Sequence, residues 1–342
     1  MGSPQMPSRR FLPFTVEKVS DEEEERLKAA GFLGYGDLVR TDPSSVRLRP
    51  GYARLAETYY NFEFRPDDTV LLSFPKSGTT WMSEALWAMR NLGRLEEADE
   101  VAIDDRLFFL DSDFLLPITA GDDTPAMKKF ARACPEGRVE DGVTLQMTAA
   151  HKGPRILKTH LQLELLNPDL LNTSKVVYIA RNPKDVCVSY FHHCRKNTRL
   201  NFKGDFSDFA EAFMANQLLF EPFWDHVVQA WMRRSHENLH FMFFEDMKRD
   251  AHGELRKLAT FLELDLSDED VHRVADHCSF GQMRAREERQ SEGRGPLYNV
   301  PGFFHKGEIG GWKSVASPEL IDRFDNWILD NNCGIDIPFR YE

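Results

Sequence analysis

The segment from Phe74 to Trp81, FPKSGTTW, brings one cationic and several hydroxyl side chains together around a glycine. Gly78 would let the backbone come close to a ligand, and Lys76 would supply a mobile cation beside it. The hydroxyl donors of the segment are Ser77, Thr79 and Thr80. Together these groups are suited to holding a phosphate or a similar oxyanion from several sides.

A predicted strand and a predicted helix flank this loop. Thr69 to Phe74 is an apolar run typical of a buried strand, and apolar residues recur at helical spacing from Thr79 to Asn91. Backbone N–H groups and the helix dipole would therefore point at the same anion. Lys76 precedes Gly78, whereas the lysine of nucleotide triphosphatases follows the second glycine of their loop. The sequence thus predicts a P-loop-like element outside that class, with a simply capped helix as the structural alternative.

Lys158 and His160 form a second chemical pair. They lie two residues apart in a short strand predicted from Arg155 to His160, and strand alternation sends both side chains to the same side. A lysine and a histidine that project together are suited to charge stabilisation and proton transfer. A partly buried structural histidine is the alternative interpretation of His160.

Arg181 and Ser189 follow a third apolar strand, predicted from Lys175 to Ala180. Arg181 opens a polar turn and Ser189 lies two turns into the next helix, so both could face an anion held beside the first loop. A fourth strand is predicted from Leu239 to Phe244. This alternation predicts an α/β fold in a single domain, with a central parallel sheet flanked by helices and ligands at the carboxyl ends of its strands.

Composition narrows the possible functions. The 342 residues are 42% hydrophobic, enough for a large core, and no compositional break divides the chain. A net charge of -12 argues against nucleic acid as the main partner. Five cysteines without a Cys-x-x-Cys pair predict neither a disulfide framework nor a zinc site, and we expect a cytoplasmic protein. No constellation of metal ligands and no apolar segment of membrane-spanning length is found in the sequence.

Four ordered motifs resemble those of the cytosolic sulfotransferases and cover the chain from about residue 60 to its end. They are FPKSGTTW at 74–81, KTH at 158–160, RNPKD at 181–185 with Ser189, and FFHKGEIGGW at 303–312. The resemblance implies the cofactor 3′-phosphoadenosine-5′-phosphosulfate (PAPS), with adenosine 3′,5′-bisphosphate (PAP) as product. It also implies transfer of a sulfuryl group to a hydroxyl or amine of a small, largely apolar acceptor such as a phenol, sterol or retinoid, without a metal.

The resemblance also assigns roles residue by residue. Residues 76–81 would bind the 5′-phosphosulfate, and Arg181 and Ser189 the 3′-phosphate. The adenine would lie between Trp81 and Phe280. Ser279 and Met283 would line the nucleotide. The segment closing over the 3′-phosphate would comprise Phe303, Phe304, His305, Lys306 and Gly307. The catalytic residues would be His160 as base, Lys76 and Lys158 as charge stabilisers, and Ser189.

The sequence departs from the family pattern at three places. His305 stands where the family has an arginine, with Arg284 or Arg286 as possible substitutes, and Phe244 stands in place of a tyrosine. The dimer motif is degraded at 313–318, so the sequence leaves monomer and dimer open. Because the interval between Lys76 and Lys158 is long, the sequence is most similar to the arthropod branch of the family, which includes retinol dehydratase. A sulfonation-dependent dehydratase and a non-catalytic nucleotide-binding protein therefore remain alternatives.

Two regions lie outside these motifs. Residues 1–60 are predicted to form an N-terminal arm before a sulfotransferase domain at 61–342, with a short helix at 21–30 and irregular structure at 31–56. Residues 99–148 are predicted to be an insertion that covers the acceptor pocket. Its polar stretch at 121–142 is typical of a lid, a binding loop or a disordered segment. Its pocket-lining residues are predicted to include Phe108, Phe109 and Phe114.

Overall fold

The computed structural model describes residues 9–116, 118–119, 121–291 and 307–342. The strands in these ranges are β1 Thr15–Lys18, β2 Val39–Asp42, β3 Arg47–Leu48, β4 Thr69–Leu72, β5 Phe108–Phe109, β6 Ile156–Thr159, β7 Lys175–Ala180 and β8 Leu239–Phe243. Within the described residues they form a three-stranded antiparallel sheet, β1-β2-β3, and a five-stranded parallel sheet in the order β5-β6-β4-β7-β8. The predicted α/β fold with a central parallel sheet is confirmed.

Helices cover both faces of the parallel sheet. In chain order they are α1 Asp21–Ala29, α2 Gly51–Tyr60, α3 Thr79–Arg90, α4 Glu97–Glu100, α5 Ile103–Arg106, α6 Ser112–Leu115, α7 Pro125–Ala133, α8 Val143–Ala150, α9 Leu170–Thr173, α10 Pro183–Lys196, α11 Phe206–Met214, α12 Phe223–Trp231, α13 Phe244–Arg249, α14 Ala251–Phe261, α15 Asp268–His277, α16 Phe280–Ser291 and α17 Pro318–Asn332. Short 3₁₀ turns lie at Leu92–Arg94, Val139–Asp141, Leu163–Leu165 and Gly311–Ser314. Among the helices described, none is long and apolar enough to cross a membrane.

The central strands are buried on both faces. Val70 and Leu72 of β4 belong to one apolar cluster, whereas Leu71 between them belongs to another. Val177 and Ile179 of β7 join the cluster of Leu71. Because successive strand residues point to opposite faces, the two clusters are the two helix-covered sides of the sheet.

The register of the parallel sheet brings three strand ends to one edge. Leu72 at the end of β4 pairs with Thr159 at the end of β6 and with Tyr178 near the end of β7. The residues that follow, including the loop at 74–78, His160 and Arg181, leave the sheet from that edge. The carboxyl edge of the sheet therefore gathers the predicted site residues, as expected for a parallel sheet.

The prediction of irregular structure at 31–56 is wrong. This stretch contains β2, β3 and the first part of α2. β2 pairs with β1 over four residues, and β1 lies more than twenty positions earlier in the sequence. These strands are short and partly polar, so their pairing depends on a distant partner that local periodicity does not reveal.

The polar stretch at 121–142 is also more regular than expected. It contains α7, whose N-cap Thr124 accepts a hydrogen bond from the N–H of Met127. The following helix, α8, is capped by Asp113, whose carboxylate accepts hydrogen bonds from the N–H groups of Thr144 and Leu145 at 2.8 and 2.9 Å. Because Asp113 is distant in sequence, the start of α8 has no local signal.

Candidate active site

A cavity of about 1570 Å³ lies at the carboxyl edge of the parallel sheet. Its walls come from the loop before α3, the ends of β6 and β7, the inserted segment, α10 and the start of α16. The predicted site residues that line it are Lys76, Gly78, Thr79, Thr80, Trp81, Lys158, His160, Arg181, Ser189, Phe280, Met283 and Gly307. The structure thus brings residues from five separate sequence regions into one cavity.

Some predicted site residues do not line this cavity. Ser77 is buried behind the loop, and Ser279 is exposed just before α16. Four residues predicted to close over the 3′-phosphate lie outside the described part of the chain, namely Phe303, Phe304, His305 and Lys306. Arg284 is paired with Glu288 instead of facing the cavity.

The loop before α3 depends on backbone conformations that favour glycine. Gly78 has φ +108° and serves as the N-cap of α3, and Lys76 has φ +70°. A Cβ atom at Gly78 would lie 2.8 Å from the Phe244 ring and 3.1 Å from the Ile179 side chain. Because glycine supplies no capping side chain, the first-turn N–H groups of α3 can point at an anion instead.

The loop is fixed to the strand that precedes it. The hydroxyl groups of Ser73 and Thr79 lie 2.7 Å apart in a buried hydrogen bond. The N–H of Ser77 donates to the carbonyl of Phe74 at 3.3 Å. These bonds hold the backbone of the loop in place before any ligand binds, so little ordering is required on binding.

Burial, together with the smaller effect of the nearby positive charge of Arg181, depresses the pKa of Lys76 to about 7. An amine in this environment is readily protonated when an anion binds beside it, because the anion favours the charged form. The cationic character of the loop therefore depends on its ligand.

The ring of His160 is held in one orientation by a hydrogen bond and two aromatic contacts. Its Nδ1–H donates to the Ser73 carbonyl at 2.8 Å, so Nε2 is the nitrogen that carries the lone pair. The imidazole ring packs edge-on against Phe109 and Phe220, with centroid distances of 5.6 and 5.5 Å. His160 thus presents a basic nitrogen in the cavity from a fixed ring.

The backbone of His160 is held as firmly as its ring. Its N–H donates to Asp111 Oδ2 at 2.6 Å, and the other Asp111 oxygen accepts from Thr159 Oγ1 at 2.5 Å. Its carbonyl accepts from Nε2 of His226 at 3.0 Å, and Tyr178 donates to Nδ1 of His226 at 2.8 Å. Sequence reasoning missed Asp111 and His226, because neither lies in a recognisable motif.

The pKa of His160 is lowered to about 3, mainly by burial and in part by the positive charges of Lys158 and Lys76. The hydrogen bond to Ser73 opposes this shift only in part. The imidazole is therefore neutral near neutral pH and able to accept a proton. A sulfuryl or phosphate anion beside it would raise its pKa and strengthen it as a base.

Arg181 is positioned by the turn that follows β7. Asn182 caps α10, and its backbone and side-chain N–H groups both donate to Glu245 at 2.9 Å. Arg181 itself donates to the carbonyls of Lys76 and Glu308 at 3.3 and 3.0 Å. Its buried Nε has no hydrogen-bond partner among the described residues. An orphaned guanidinium N–H in a cavity fits a phosphate ligand.

Aromatic side chains form the wall beside Arg181. The Arg181 guanidinium carbon lies 4.4 Å from the centroid of the Phe244 ring, and Phe244 packs edge-on against Trp81 at 5.5 Å. Phe280 lines the same cavity, and a Cβ atom at Gly307 would lie 2.7 Å from its ring. The wall thus combines aromatic surface with a cation, as a purine nucleotide with a phosphate requires.

Apolar side chains line the part of the cavity next to His160. They include Phe108, Phe109, Leu115, Val143, Met147 and Phe220. Phe108 and Phe109 line this cavity, and their place in an acceptor pocket stays a prediction. The prediction that Phe114 lines the pocket is wrong. Phe114 packs edge-on against Tyr52 and Tyr59 at 5.5 and 5.6 Å and belongs to the core.

Comparison with known proteins agrees with this geometry. The family profile described as "Sulfotransferase domain" matches residues 66–333. Sulfotransferase 1 family member D1 of Rattus norvegicus is 32% identical over 90% of this chain and 98% of its own. Two crystal structures of retinol dehydratase, one with androsterone and PAP and one with retinol and PAP, superpose with TM-scores of 0.82 and 0.81. They are 27% and 28% identical, and each match covers 96% of this chain and 99% of theirs.

The fold and the comparisons together define a transferase that binds an adenine nucleotide. More narrowly, the chain belongs to the sulfotransferase family. It is therefore an enzyme that uses PAPS as sulfuryl donor and acts on small acceptors. The orphaned Nε of Arg181 and the glycine-dependent loop fit this cofactor.

Proposed function

We propose that the enzyme transfers a sulfuryl group to a hydroxyl of a small, largely apolar acceptor, with His160 as the catalytic base. The observation that carries this proposal is the fixed tautomer of His160, which leaves Nε2 unprotonated on a residue that lines a cavity with apolar walls. PAPS supplies an activated sulfuryl group and a phosphate leaving group when bound. The roles below are those of the protein's own side chains.

His160 would accept the proton of the acceptor hydroxyl at Nε2. The Nδ1–H bond to Ser73 orients the ring and stabilises the imidazolium that results. Asp111 and His226 hold its backbone N–H and carbonyl, so the ring keeps its position as the charge changes. An amine acceptor would require the same proton transfer.

Lys76 and Lys158 would stabilise the negative charge on the transferring and leaving oxygens. Both line the cavity, and the charges of both act on His160. The hydroxyl of Thr80 and the first-turn amides of α3 add neutral donors at the same place. Two lysines can stabilise the single negative charge of a sulfuryl group without a divalent ion.

Arg181 would bind the 3′-phosphate through the Nε–H and the other N–H groups of its guanidinium, with Ser189 of α10 beside it. The adenine would stack between Trp81 and Phe280, with Met283 at its edge. Arg286 is a weaker candidate for a phosphate ligand, because its guanidinium donates to the carbonyl of His277 at 2.6 Å. His305 keeps its proposed role as a prediction.

The proposal is tested by incubating the purified enzyme with PAPS and a panel of phenols, amines, sterols and retinoids. Mass spectrometry of the products would show a sulfate ester on at least one hydroxylated apolar acceptor. Formation of PAP without any modified acceptor across the panel would contradict the proposed acceptor class.

A dehydratase is the second candidate function, favoured by the structural likeness to retinol dehydratase over nearly the whole chain. In that case a sulfate ester of an allylic alcohol would lose sulfate to form an alkene. The same panel distinguishes the two outcomes, since retinol would give a dehydrated hydrocarbon instead of a stable sulfate ester.

The cytoplasm remains the proposed location, supported by five cysteines that are all free in the structure.

A further inference from the structure

The inserted segment places a carboxylate on the proposed catalytic lysine. Lys158 Nζ donates a hydrogen bond of 2.6 Å to Asp104 Oδ1. The Lys158 side chain is 8% exposed, whereas that of Asp104, on α5, is 50% exposed and lines the cavity. The ion pair therefore lies where the buried end of β6 meets the space for the acceptor.

A second contact restrains the same ammonium group. Lys158 Nζ lies 4.2 Å from the centroid of the Phe109 ring, and this ring also packs against His160. Phe109 and Lys158 are register partners in β5 and β6. The carboxylate and the ring together hold a flexible side chain beside the imidazole, where an unrestrained lysine would sample many rotamers.

Asp104 is itself anchored through its neighbour Arg106. Arg106 donates to both carboxylate oxygens of Glu84 at 3.1 and 2.7 Å, and its guanidinium lies 4.1 Å from the centroid of the Trp87 ring. The Arg106–Glu84 pair is buried, with side chains 5% and 4% exposed. Glu84 and Trp87 belong to α3, so α5 is fixed to the helix that begins at the phosphate-binding loop.

Hydrogen bonding keeps Glu84 ionised in this anchor. Burial alone would raise the pKa of its carboxyl group, but hydrogen bonds from His277 and Arg106 outweigh burial and hold that pKa below its usual value. A bidentate arginine–carboxylate pair has a defined geometry. The position of Asp104 relative to the loop therefore follows from a rigid contact.

We propose that Asp104 is a positioning residue that directs the Lys158 ammonium at the transferring group. An ammonium has three N–H donors, so binding Asp104 through one of them leaves others for an oxygen of the substrate. Because Asp104 belongs to the inserted segment, the wall of the acceptor space also sets the geometry of catalysis. This inference rests on the proposed role of Lys158 in sulfuryl transfer.

The test compares Asp104→Asn with the parent enzyme under saturating PAPS and acceptor. Loss of the ion pair should lower kcat about 10- to 100-fold, since small displacements of a catalytic group have effects of that size. The KM values and the calorimetric affinity for PAP should stay within about threefold, because Asp104 contacts neither substrate in this role. Asp104→Glu, which keeps the charge, should recover part of the lost kcat.

Asp99→Asn is the matched control. Asp99 belongs to the same inserted segment and forms an ion pair with Arg289, with side chains 56% and 54% exposed. Its loss should leave kcat within about twofold of the parent, as is usual for exposed ion pairs. In a Lys158→Gln background, Asp104→Asn should change the residual rate less than about twofold, because the residue acts through Lys158.

Three results would overturn the inference. An active parent whose kcat is unchanged in Asp104→Asn would show that Lys158 does not need the carboxylate. Equal losses of PAP affinity, melting temperature and kcat, without recovery in Asp104→Glu, would show a purely structural role. A parent without any turnover of PAPS would contradict the proposed function itself, and the inference with it.

Discussion

At the residue scale, two basic groups of the site, Lys76 and His160, are uncharged or only partly charged near neutral pH before the ligand arrives. His160 and Lys76 both have pKa values below their usual ranges because they are buried. An anionic cofactor shifts both groups toward protonation, so binding and acid–base chemistry are coupled. An NMR titration of the nucleotide-free protein and calorimetry of PAP binding test these environments.

His160 should not titrate in the range usual for histidine. Its pKa of about 3 lies below the unperturbed value of about 6.5, so the imidazole should stay neutral from about pH 5 to pH 8. Nitrogen chemical shifts of the imidazole, measured by NMR across that range, should show a constant tautomer protonated at Nδ1. A titration midpoint near 6.5 would show a solvated ring without the Ser73 hydrogen bond.

Binding of PAP should take up protons at mildly alkaline pH. Lys76 has a pKa of about 7 in the free protein, and the bound phosphate should raise it. Affinity should therefore weaken as pH rises from the free-state pKa to the bound-state pKa. Calorimetry at about pH 8, in buffers with different ionisation enthalpies, measures this uptake, since phosphate groups are already ionised at that pH. The uptake should disappear in Lys76→Gln, and an unchanged uptake would contradict the assignment.

At the element scale, local signals predicted the elements that carry the site. The apolar run before Lys76 and the helical stripe after Gly78 predicted β4 and α3, and Asn182 caps α10, the helix predicted after the turn at Arg181. Most elements that the sequence did not predict depend on distant partners, whereas α7 has a local cap in Thr124. Asp113 caps α8 from 31 positions before Thr144.

The same distinction between local signals and distant contacts applies to the residues of the candidate active site. The phosphate-binding loop, His160 and Arg181 could be predicted because each follows an apolar strand or lies in a recognisable motif. Asp104, Asp111 and His226 could not, because their roles arise from contacts made only in the folded chain. Phe114 illustrates the converse, since an aromatic residue in the insertion packs in the core.

The inserted helix α8 should control the size of the acceptor. Met147 lines the cavity, so Met147→Trp should reduce kcat/KM for a retinoid or steroid about tenfold more than for a simple phenol, without changing the affinity for PAP. Ala149 lies on the same helix and is exposed outside the cavity wall, so Ala149→Trp serves as control. Equal losses for both acceptors in Met147→Trp would contradict a wall function of α8.

At the scale of the whole molecule, the N-terminal arm and the parallel sheet share one apolar cluster. Phe32 from the arm packs against Phe202 and Phe209 at centroid distances of 4.4 and 5.7 Å. The family match begins only at residue 66, although the arm supplies fully buried side chains to the core. The proposed boundary after residue 60 therefore separates sequence regions that pack together.

Phe32 should be essential for the stability of the whole fold. It is fully buried, so Phe32→Ala should lower the free energy of unfolding by about 3–5 kcal/mol. Phe11 is 95% exposed, and Phe11→Ala should change the free energy of unfolding by less than about 0.5 kcal/mol. Urea unfolding followed by circular dichroism measures both. Equal, small effects would show that the arm is dispensable for the stability of the sheet.

The proposed role of His160 as catalytic base is tested most directly by comparing the parent with His160→Ala. The single-turnover rate of sulfuryl transfer from radiolabelled PAPS is measured in both, and the affinity for PAP is measured on the same preparations. In its proposed role as base, His160 acts on the acceptor and not on the nucleotide. The rate should therefore fall by at least about a hundredfold, while PAP affinity stays within about threefold of the parent. Transfer by His160→Ala at close to the parental rate would contradict the assignment of His160 as the catalytic base.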